Sequence, residues 1–97
     1  MNAWAELAAR TEDMLDAARA GAFERVAALE AERRALLDIV PPPDEAARAL
    51  LGVLLERDRE VAALVEIARA QTAEDLRLAR QAQAGAGVYL GVAHGAS

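Results

Sequence analysis

The stretch Val40-Pro41-Pro42-Pro43-Asp44 holds every proline of this chain and lies before its midpoint. Proline has no amide N–H to donate and pushes the residue before it out of helical geometry, so a helix entering this run must end there. Both flanks carry helical periodicity, and the run therefore folds the chain into arms of unequal length. On the amino-terminal side Phe23, Val26, Leu29, Leu36, Leu37 and Val40 fall on one arc at 100° per residue, which predicts a helix over about 22–39. Further upstream Trp4, Leu7, Ala8, Met14, Leu15 and Ala18 recur at three- and four-residue spacing and predict a helix over about 2–20, with Asn2 as its N-cap. Gly21 separates the two, as a glycine does where a helix stops in a left-handed conformation.

On the other flank Asp44 is placed to cap a third helix, and Glu45 lies in its first turn against the positive end of the dipole. From Asp44 to about Ala84 there is no proline and one glycine, Gly52, so this helix can extend roughly 60 Å against about 27 Å for the second. Its early part, Leu50-Leu51-Gly52-Val53-Leu54-Leu55, is apolar over more than half its circumference and calls for cover by two neighbours. The expected fold is all-α: an antiparallel three-helix bundle or hairpin with a long third helix, spanning 1–84, and a short glycine-rich tail over 85–97. Thr72-Ala73-Glu74-Asp75 resembles a capping box that would split the long helix, but the unbroken periodicity favours one element. Gly85, Gly87, Gly91 and Gly95 count against continued helix, while Val88, Tyr89, Leu90 and Val92 form an apolar patch in the tail.

At 97 residues a single small domain is expected, burying only about 65% of its unfolded surface. Aromatics make up 3% of the chain, so alanine and leucine must build the core through close helix approach. The formal charge of −5, with no basic stripe, argues against nucleic acid as a partner. No apolar run is long enough to insert in a membrane, the start lacks the basic region of a signal peptide, and the cytoplasm is the expected compartment. Without cysteine, disulfides, thiolate catalysis and Cys-ligated zinc are excluded. Nothing points to catalysis, a cofactor or a metal. The carboxylates read as solvated partners of arginines, the only histidine, His94, lies in the tail, and no lysine is present to complete a phosphate loop.

Arg33 and Asp58 each fall inside an apolar arc and read as structural ion-pair members that set helix register. Counting turns from the proline hinge separates them by about 10 Å, which assigns Glu30 to Arg33 and Arg19 or Arg25 to Asp58. Trp4 and Phe23 read as lids at opposite ends of the core. Past the level of Gly21 the third helix overhangs its neighbours and presents Leu64, Val65, Ile67, Ala68, Leu76, Leu78 and Ala79. Such a surface takes cover from the chain's own tail, from a second copy or from a client helix, and composition does not choose among them.

The order Trp4-x-x-Leu7, Met14-Leu15-x-x-Ala18, Gly21-Ala22-Phe23-Glu24, Leu29-Glu30, Arg33 and Leu36-Leu37 resembles the amino-terminal half of FliT-type flagellar export chaperones. Asp58-Arg59-Glu60-Val61 with Leu64, and Tyr89-Leu90 near the end, are similar to that family's later half. The resemblance implies a cytoplasmic helical chaperone that holds the carboxy-terminal helical region of the filament-cap protein FliD until the flagellar type III export apparatus receives it. Flagellar export ATPase components are implied as secondary partners. Val61, Leu64, Val65, Ala68, Thr72 and Leu76 are then the expected client contacts, with Tyr89 and Leu90 for regulation or added contact. The short inter-helix connection and the few residues after Tyr89 depart from the family pattern, which counts against cover by a full fourth helix and against restraint of a flagellar transcription regulator. The competing expectation is a small homodimeric helical adaptor or structural module without an export client.

Overall fold

The computed structural model describes residues 2–95, with side chains through residue 85. Its elements are α1 (Ala3–Arg19), α2 (Phe23–Leu37) and α3 (Glu45–Gly95), with no strand among the described residues. By contacts the chain divides into two compact units, Met1–Glu66 and Ile67–Ser97.

In the first unit the helix ends follow the chemistry of their caps. Asn2 accepts a hydrogen bond from the Ala5 amide at 2.7 Å and starts α1. At the other end Gly21 takes φ +74. The Ala22 amide donates to the Ala17 carbonyl at 2.8 Å, and the Gly21 amide donates to Ala18 at 3.1 Å. This paired arrangement satisfies two carbonyls that the helix end would otherwise orphan. α2 closes with the Ile39 and Val40 amides both donating to Leu36, each at 3.1 Å. The prolines follow with no amide to extend it. Asp44 then accepts from the Ala47 amide at 2.8 Å and opens α3.

Cross-helix pairs give the direction of packing. Arg10 lies by Glu32, while Glu12 meets Arg57 and Arg19 meets Glu60. Ascending positions on α1 thus meet ascending positions on α3, and α2 runs opposite to both. This is the expected antiparallel three-helix arrangement. The core joins Met14, Leu15, Ala17, Ala18, Val26, Leu29 and Val61, with Phe23, Leu64 and Val65 half-buried against it. Leu7, Ala47 and Leu54 are buried as well. Trp4 fastens the hinge end, its indole N–H donating to the Pro41 carbonyl at 3.1 Å.

One expectation about α3 is corrected. The helix runs through Thr72 without a break, as its periodicity predicts, and continues to Gly95, where the glycines predict a loose tail from residue 85. A helical glycine costs roughly 1 kcal/mol, whereas each further residue adds a backbone hydrogen bond, so glycine is a penalty rather than a stop unless the chain needs a positive φ. Among the described residues Gly21 alone takes a positive φ.

Candidate functional site

Arg33 and Asp58 form the principal polar contact of the first unit. Arg33 Nη1 donates to Asp58 Oδ1, and it also approaches Thr11 Oγ1 at 3.4 Å. Thr11, 1% exposed, donates its own hydroxyl to the Leu7 carbonyl at 2.9 Å. One residue from each helix therefore meets at a single level. The expected separation of Arg33 and Asp58 is wrong because the hinge is not a tight turn. Arg33 lies about 6 Å from the end of α2 and Asp58 about 20 Å into α3. Residues 38–44 between those helices are non-helical. Residues 40–44, which form neither helix nor turn, reach about 17 Å when extended, so α3 can start beyond the level at which α2 stops. The substitute partners go elsewhere: Glu30 bonds Arg34 at 3.2 Å, and Arg19 bonds Glu60 at 2.6 Å.

Around this triad lies a cavity of about 200 Å³, whose apolar lining is Leu7, Leu37, Leu51, Leu54 and Leu55 and whose polar lining is Thr11, Arg33 and Asp58. Leu37 and Leu55 are 52% and 55% exposed, so the cavity opens to solvent. Thr11, absent from the candidate residues above, interrupts the apolar stripe of α1. Its i, i+4 relation to Leu7 on that stripe is the signal that would have found it.

The other ion pairs lie at the surface. Arg57 Nε donates to Glu12 at 2.8 Å, and that hydrogen bond holds the guanidinium above its ordinary pKa. Arg10 Nε lies 2.9 Å from Glu32 but off the hydrogen-bond axis, leaving its buried N–H without an acceptor. Pairs of this kind contribute little to stability, because water screens them.

The expected client contacts divide by burial. Val61 is 6% exposed and belongs to the core, so its assignment as a contact is corrected: α1 and α2 reach far enough to cover it. Leu64 and Val65 are half-buried against the same cluster. In the second unit Ala68 is half-buried, and every residue from Arg69 to Gly85 is exposed. Ile67, Leu76 and Leu78 are 67%, 51% and 49% exposed. Thr72 lies in this exposed stretch. Arg77 Nη2 bonds Glu74 at 2.6 Å, and Gln71 bonds Asp75 at 2.9 Å, pairing one helical turn on itself. Tyr89 and Leu90 lie outside the residues whose side chains are described.

No helix among the described residues is long and apolar enough to cross a membrane, and no acidic or histidine cluster there could hold a metal ion. Ile67, Leu76 and Leu78 leave large apolar side chains in water on α3, the kind of surface that partner-binding proteins expose. The chain matches the family of the flagellar protein FliT over residues 1–91 and belongs to that family, one of flagellar export chaperones. No curated protein and no solved structure matches it.

Proposed function

We propose that this chain is a cytoplasmic export chaperone that binds the carboxy-terminal helical region of the filament-cap protein FliD and delivers it to the flagellar type III export apparatus. Family membership over residues 1–91 is the observation that carries this reading. The exposure of Ile67, Leu76 and Leu78 supports it, because large apolar side chains left in water are what a client helix would cover. The proposed contacts are Ala68, Thr72 and Leu76, with Leu64 and Val65 contributing their exposed edges and Tyr89 and Leu90 adding contact or regulation. Export ATPase components are proposed as later partners, engaged once the client is bound.

The test is binding of purified carboxy-terminal FliD fragments to the intact chain and to Leu76→Asp, followed by calorimetry. Saturable binding that weakens at least tenfold in the variant, with unchanged circular dichroism, supports the assignment. Absence of binding, or equal binding by the variant, overturns it. Sedimentation over a concentration series separates the rival homodimeric adaptor, in which a stable dimer forms without client and Leu76→Asp dissociates it.

A further inference from the structure

Two successive stretches of α3 are supported differently. Val61 is 6% exposed in the core of the first unit, and Leu64 and Val65 are half-buried against that core. From Arg69 to Gly85 every residue is exposed, Leu76 and Leu78 included. Gln71 pairs with Asp75 and Glu74 with Arg77, each within about one turn of the helix. Local pairs of this kind add little to helix stability.

Most helical stability in proteins comes from packing an apolar face, and a stretch without packing is held by propensity alone, which lies near balance in water. The packed residues Val61 to Val65 remove the cost of nucleation, so helix grows outward from them one residue at a time. Growth near balance produces a gradient. Helix is nearly complete beside Val65 and declines toward Gly85, where glycine lowers the propensity further.

We infer that Arg69–Gly85 is a docking arm whose helix is completed by its partner, so that helix propensity along the arm, as well as contact, sets how tightly the partner binds. The identity of that partner rests on the FliD reading. A helix that covers Leu76 selects the helical arm, and the fraction of arm already helical multiplies the affinity. The ordering cost lowers affinity without shrinking the contact surface, which suits a client that has to be handed on.

The test follows Cα chemical shifts and amide exchange of the full chain, free and bound to an unlabelled carboxy-terminal FliD fragment. In the free chain helical shifts should decline progressively from Arg69 to Gly85 while Val61 to Val65 stay fully helical. Bound, the arm should reach full helical values through Leu76. Ala70 and Ala73 are exposed and fall outside the stripe of Ala68, Thr72 and Leu76. Ala70→Gly with Ala73→Gly should therefore weaken FliD binding about threefold or more through propensity alone, with urea unfolding of the first unit unchanged. Gly85→Ala, where a Cβ meets nothing within 4 Å, should raise the helical shifts of the free arm. Uniformly full helicity from Arg69 to Gly85 in the free chain, or FliD binding unaltered by the double glycine variant, overturns the inference. A graded free arm without FliD binding supports the arm and overturns the client reading instead.

Discussion

Thr11, Arg33 and Asp58 show how a polar contact can be half legible. Arg33 and Asp58 stood out because a charge inside an apolar arc needs a partner. Which partner it takes depends on axial register, and register depends on how the prolines extend the connection between α2 and α3. Neighbouring apolar positions were easier to place, since helical spacing alone put Leu15 on the inner stripe, where it is 1% exposed. Leu15→Ala should destabilise the protein by about 3 kcal/mol through lost burial and a residual cavity, as measured by urea unfolding. Glu74 carries a pH effect of definite sign. The Arg77 hydrogen bond holds its carboxyl below the ordinary glutamate value. A depressed folded pKa stabilises the charged form, so this contribution is complete above the ordinary value and disappears as pH falls through the lowered one. A carbon-detected NMR titration should give a midpoint for Glu74 below that of a model glutamate, and Arg77→Gln should return it.

At the scale of the elements, caps and glycines separate two kinds of signal. Asn2, Gly21 and Asp44 were readable because each meets a local requirement of a helix end, met within a few residues of chain. The tail glycines misled because composition records a propensity, and propensity yields to continued hydrogen bonding. Gly21 and Gly52 make the distinction measurable. A Cβ at Gly52 meets nothing within 4 Å in the helix interior. Gly52→Ala should therefore stabilise the protein by about 0.5–1 kcal/mol in chemical denaturation. Gly21 also has open space, but its φ of +74 disfavours any side chain. Gly21→Ala should instead destabilise it by roughly 1 kcal/mol.

For the whole molecule, the contrast between covered and bare positions on α3 separates folding from binding. Leu64 and Val65 pack against the core, whereas Leu76 is 51% exposed. Leu64→Asp with Val65→Asp should lower stability by about 3 kcal/mol or more, because charge is forced against an apolar cluster. Leu76→Asp should leave the thermal midpoint nearly unchanged. Equal destabilisation by the two variants would show that Leu76 is covered in solution. The sequence by itself determined the helical class, the two turns and the family likeness, because periodicity, caps and proline act over a few neighbouring residues. Only the tertiary structure decided that Arg33 meets Asp58 beside Thr11 and that Val61 belongs inside, because both depend on the axial offset between helices set by an extended connection.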